Sequence, residues 1–166
     1  MTKNKGQTLI EVLVALAAIV VVTSAITIAV ITSLNNAEYS KTANLATQYA
    51  QQAMEQIKSM RNTDYATFAS LVGNYCYAKA CAKLVSTTDT SNPCWQKQGQ
   101  YCVQNVDTFV REIALEQNSA TCGGIATKVT VKISWADSKC TDRTNLYCHQ
   151  EVLVSCMSNY QNVPLP

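Results

Sequence analysis

The sequence predicts an α+β chain. A long N-terminal helix, half membrane-spanning and half amphipathic, packs on a small antiparallel sheet of about three strands, with a disulfide-rich loop region between them. Three observations carry this. No charged residue occurs between Glu11 and Glu38, and no Gly or Pro between Gly6 and Gly73. All eight cysteines follow residue 75. Near the C-terminus, "TKVTVKISWAD" and "HQEVLVSCMSN" alternate with the period of a strand.

The helix comes first. At about 1.5 Å per residue, the apolar stretch Leu9–Leu34 is long enough to cross a hydrocarbon core of roughly 30 Å. Lys3 and Lys5 precede it, which predicts a cytoplasmic N-terminus and an outside location for everything after the span. From Asn35 the sequence turns polar, yet the helical pattern continues. Leu45, Tyr49, Ala53, Ile57 and Met60 recur at steps of three and four, and Ala46, Ala50 and Met54 widen the stripe. Glu55 and Lys58 form an i,i+3 pair, and Lys58 and Arg61 suit the negative end of the helix dipole. Asn62-Thr63-Asp64 reads as its end. The pattern predicts one helix from about Leu9 to Arg61, the amphipathic half being 35–61. Two helices divided near Ser33–Asn36 are the alternative.

Residues 62–107 hold Gly73, Gly99, Asn92-Pro93 and four cysteines with little periodicity. They read as a loop-rich, cysteine-rich insertion. The sheet is expected over 108–166. "TFVREIALEQ" places Phe109, Ile113 and Leu115 on one side, with Arg111 intruding. "TKVTVKISWAD" places Val129, Val131, Ile133 and Trp135 on one face. "HQEVLVSCMSN" places Val152, Val154 and Cys156 on one face, with Glu151, Leu153 and Ser155 opposite. The three form a meander with its apolar face on the amphipathic helix.

So small a core benefits from covalent ties. An even cysteine count behind an apolar N-terminal segment reads as disulfides formed outside the cytoplasm. The candidates are Cys76, Cys81, Cys94, Cys102, Cys122, Cys140, Cys148 and Cys156. The most local set joins Cys76–Cys81, Cys94–Cys102 and Cys140–Cys148, leaving Cys122–Cys156. Spacing alone does not select it from the roughly 105 pairings possible.

Several chemistries find little support. Formal net charge is +2, supplied by Lys3 and Lys5, so no nucleic-acid surface is expected. The cysteines include no Cys-x-x-Cys pair, and the only His, His149, adjoins Cys148. Zinc is therefore not expected, nor is a Cys or Ser nucleophile with a His base. Asp137, Asp142 and Glu151 lack the ligand spacing of a calcium loop and read as solvated. Tyr75, Tyr77 and Trp95 read as cover for nearby disulfides. No cofactor, no metal and no enzymatic activity are expected.

The N-terminus admits three readings. A cleaved secretory signal ending near Ala15–Ala18 would have an apolar run far longer than such signals need, with Glu11 inside it. A plain single-pass anchor leaves Gly6 and Glu11 unexplained. The third rests on likeness: "KGQTLIEVLVALAAIVVV" resembles the class III signal of type IV prepilins and pseudopilins. That signal is a basic leader ending in Gly, one residue, Thr-Leu-Ile-Glu, then an apolar helix. Thr8-Leu9-Ile10-Glu11 match position by position. Gln7 departs from the usual Phe or Met. The resemblance implies a leader of 1–6, an assembly half of the helix over 7–34, and cleavage between Gly6 and Gln7 by a membrane prepilin peptidase that also methylates Gln7. It implies that Glu11, fifth in the mature chain, pairs with the N-terminal amine of a neighbouring subunit. The Val-x-Val-x-Ile-x-Trp strand, loop and final Val-x-Val strand are similar to small type II secretion pseudopilins and minor pilins. The implied partners are other pilin or pseudopilin subunits, the peptidase/methyltransferase and membrane lipid. The implied location is the inner membrane, then a filament. An unprocessed, membrane-anchored, disulfide-rich binding domain is the competing reading.

Overall fold

A computed structural model describes residues 5–78, 84–87, 97–98, 101–102, 106–137, 140 and 147–159. The chain divides into two compact units, Met1–Thr42 and Ala43–Pro166. Helix α1 runs Lys5–Thr63 as a single element, without a division near residues 33–36. In the first unit it is exposed all round.

In the second unit the remainder of α1 covers an antiparallel sheet. That sheet has five strands, not about three: β1 (Gly73–Tyr77), β2 (Leu84–Ser86), β5 (Val110–Glu116), β6 (Thr127–Trp135) and β7 (His149–Met157), in the order β2-β1-β5-β6-β7. The two additional strands come from the stretch read as loop. The same stretch holds a short helix α2 (Tyr65–Ser70) and a small hairpin of β3 (Lys97–Gln98) and β4 (Tyr101–Cys102). β1 and β2 are short, and Tyr75, Cys76 and Tyr77 are buried in succession, so β1 shows no alternation. A strand buried on both faces has no period-two signal.

The helix stripe is centred differently from the expected one. Ala46, Ala50, Ala53, Met54 and Ile57 are buried, while Leu45 and Tyr49 pack at its flank. Small alanines let the backbone come close to the sheet. They face Phe109, Ile113, Leu115, Val129, Val131, Ile133 and Trp135 in one core. The Tyr49 and Phe109 rings meet edge-on at 5.4 Å, and Phe109 lies 5.9 Å from Trp135. The Tyr49 hydroxyl donates to Asp107, which pushes its pKa above the usual tyrosine value. α1 closes with Asp64 N–H donating to Met60 at 2.9 Å. Asp64 then caps α2 by accepting from the Thr67 N–H at 3.0 Å.

Arg111, read as an intruder, belongs inside. Its side chain is 1% exposed, on the helix-facing side of β5. Nε donates to the Tyr77 carbonyl at 3.0 Å, Nη1 to Gln52 Oε1 at 3.2 Å, and the guanidinium lies 4.4 Å from the Tyr77 ring centroid. Desolvation still pulls its pKa down to about 10.

The last strand carries a second correction. Residues of β7 share faces as expected, but the apolar-looking face points outward. Val152 and Val154 are 44% and 51% exposed. Register explains it: Val131 pairs with Leu153, whereas Lys132 and Thr130 pair with Val152 and Val154. Since β6 turns Val129, Val131 and Ile133 inward, parity sends Leu153 in and the valines out.

Three disulfides are described: Cys76–Cys102, Cys122–Cys156 and Cys140–Cys148. The first replaces the local pairing of Cys76 with Cys81 and of Cys102 with Cys94. Once β1 joins the sheet, Cys76 and Cys102 share a small buried cluster with Val110 and Tyr147. Cys81 and Cys94 lie outside the described residues, as do Asp142 and Trp95.

Candidate processing and assembly site

The site lies at the start of α1. Gly6 and Gln7 are in its first turn, and Glu11 follows one turn later. First-turn N–H groups have no intrahelical acceptor, and Gly is a poor helix former, so a peptide bond here opens at low cost. Glu11 is the only charged residue from Gly6 to Ala37, and it is exposed on the helix surface.

The rest of this unit is suited to lipid. Leu9, Ile10, Leu13, Val21 and Ile28 are each more than half exposed, on a helix long and apolar enough to cross a membrane. Its hydroxyls are satisfied internally. Thr23 donates to the Ile19 carbonyl at 2.9 Å, Ser24 to Val20 at 2.7 Å, Thr27 to Thr23 at 2.8 Å and Thr32 to Ile28 at 2.9 Å. A hydroxyl bonded to its own helix carries little penalty in hydrocarbon. A carboxylate cannot do the same, since a helix interior offers it no free donor. Glu11 therefore needs a proton or a cation from elsewhere.

Residues 1–27 match the family described as the prokaryotic N-terminal methylation motif. The chain carries a type IV pilin signal. The match spans the basic leader, Gly6, Thr8-Leu9-Ile10-Glu11 and most of the apolar run, which are the positions that a processing enzyme must read. The pilin signal implies a prepilin peptidase and assembly with other pilins. Neither a curated protein nor a solved structure matches the chain.

In the second unit, the residues weighed for metal or acid chemistry are only partly brought together. Asp137 and His149 meet, with Nε2 3.0 Å from Oδ2. Glu151 is placed on β7 opposite Ile133 and does not join them. Cys140 and Cys148 do. Sequence spacing missed this cluster because its members come from both ends of the β6–β7 connection. The one signal available was the adjacency of Cys148 and His149. Tyr75 and Tyr77 are buried and form no exposed aromatic surface.

Proposed function

We propose that this chain is a minor pilin or pseudopilin, a structural subunit of a type IV pilus-like filament and not an enzyme. It enters the inner membrane through α1 with its C-terminal unit outside. A prepilin peptidase cuts between Gly6 and Gln7 and methylates the Gln7 amine. The trimmed subunit is then added to a filament that serves adhesion, motility, DNA uptake or protein secretion.

The observation that carries the reading is Glu11. A charged side chain within hydrocarbon costs at least about 2.5 kcal/mol on insertion scales. Cleavage creates a positive amine on every subunit. A Glu11 carboxylate paired with a neighbour's amine is neutralised in the assembly and costly outside it. That difference favours docking and helps set axial register. The absence of Pro from α1 and the Val-x-Val-x-Ile-x-Trp strand support a minor or pseudopilin role over a major one.

Mass spectrometry of the native N-terminus tests the reading. The expected product begins at Gln7 and carries one methyl group. An intact Met1 would favour the unprocessed membrane-anchored binding domain, and a start near Ala18 would favour a secretory signal. Either result overturns the proposal.

A further inference from the structure

Where β6 leaves the sheet and β7 enters it, one ligand atom from each of Asp137, Cys140, Cys148 and His149 lies within 4.8 Å of all the others. We infer that this is a thiol-gated zinc site. With Cys140 and Cys148 reduced, the four side chains close around one Zn²⁺; the Cys140–Cys148 disulfide is the metal-free closure of the same loop.

The sheet builds the site. Trp135 and His149 are the last register pair of β6 and β7, and their rings stack at 5.5 Å and 27°. That stacking orients the imidazole, and the Nε2 atom itself is buried. Asp137, two residues beyond Trp135, reaches His149 Nε2 at 3.0 Å with one oxygen and lies 3.8 Å from Cys140 Sγ with the other. Its backbone N–H donates to the same sulfur at 3.3 Å. A hydrogen bond of that kind favours a thiolate over a thiol.

Size and donor type select the metal. With bonds of about 2.0–2.3 Å, a tetrahedral zinc has donor–donor edges of roughly 3.3–3.8 Å. The carboxylate–imidazole and carboxylate–sulfur separations are already near that range. Only the two sulfurs must part, from a covalent bond to such an edge. Two thiolates, an imidazole and a carboxylate suit zinc, whereas calcium would need six to eight oxygens. Reduction without a metal would leave up to three anions crowded together, and a divalent cation removes that repulsion. In the disulfide form only Asp137 and His149 remain, too few to hold zinc.

The chemistry balances. Metal closure takes Zn²⁺ and two thiols, forms two Zn–S bonds and releases two protons. Oxidative closure forms the S–S bond, releases Zn²⁺ and passes two electrons to the disulfide of a thiol–disulfide oxidoreductase, which takes up two protons as its own two thiols. This inference does not depend on the N-terminal signal.

The test uses the full chain in detergent, metal-free, titrated with Zn²⁺ alone against a chromophoric chelator. The phosphine-reduced chain should bind one zinc and the oxidised chain none. Co²⁺ alone should give a sulfur-to-cobalt charge-transfer band in the reduced chain. His149→Ala, which leaves both cysteines in place, should weaken zinc binding about tenfold or more. A double Cys122→Ser, Cys156→Ser variant should bind zinc as the parent does. No zinc in the reduced chain, or affinity indifferent to His149→Ala, would overturn the site. If full reduction unfolds the second unit, zinc is added before reduction and alkylation. Peptide mapping should then find Cys140 and Cys148 protected while Cys122 and Cys156 are labelled. Equal labelling of all four would also overturn it.

Discussion

In the first unit of the chain, Leu13 and Val21 are 58% and 68% exposed; in the second, Ala46 and Ile57 on the same helix are 0% and 1% exposed. Both stretches are apolar, but the first is apolar all round and the second along one stripe. The second finds its partner surface in its own sheet. The first finds none in its own chain, and it bonds its hydroxyls to its own carbonyls as a helix in lipid must. One stretch of α1 serves the fold, and the other serves a bilayer or other subunits. Glu11 lies in the second kind of surface, where an unmatched charge has meaning only in the presence of another molecule.

The largest effect should come from the assembly surface. Glu11→Val is expected to insert and be cut after Gly6 but to be lost from filaments, as read by N-terminal mass spectrometry and by blotting of sheared filaments. Its second unit should unfold at the same denaturant midpoint as the parent. Normal incorporation would break the division of roles.

Next, one kind of truncation can be made in each unit. Ile57→Ala should cost roughly 2–5 kcal/mol in denaturant unfolding of the detergent-solubilised chain. Leu13→Ala, at an exposed position, should leave that transition unmoved. Equal losses would mean that the units are not energetically separate.

Arg111 gives a smaller effect. Arg111→Ala removes the donor to the Tyr77 carbonyl and Gln52, and leaving buried acceptors unsatisfied costs about 1–3 kcal/mol. Arg111→Met keeps the packing volume, and it should recover part of that loss in the same unfolding assay.

The smallest is a pH effect at Asp64. Hydrogen bonds from Thr67 hold its carboxyl below the usual value. A carboxyl with a lowered folded pKa contributes stability above its unfolded value, about 3.9, and loses it as pH falls through the folded one. Asp64→Asn keeps a capping acceptor but cannot titrate. It should flatten that part of the acid limb in pH-dependent unfolding.

How much of this was legible follows from the range of each signal. The leader, Gly6 and Glu11 are contiguous, and their register with the apolar run is local. β6 is legible because it alternates over its whole length. β1 is not, because three successive residues are buried. β7 was legible as a strand but not in orientation, since Val152 and Val154 look like core residues until Val131 is seen to pair with Leu153. Arg111 looked misplaced because its acceptors, Tyr77 and Gln52, are far away in sequence.

The amino-acid sequence by itself determined the signal, the span, the amphipathic continuation of α1 and the reliance on disulfides. All four depend on composition and spacing within short windows. Tertiary structure alone decided which cysteine meets Cys76, which face of β7 is buried, and that Asp137, Cys140, Cys148 and His149 converge. Those outcomes depend on strand order and register, which bring together residues that no local periodicity links.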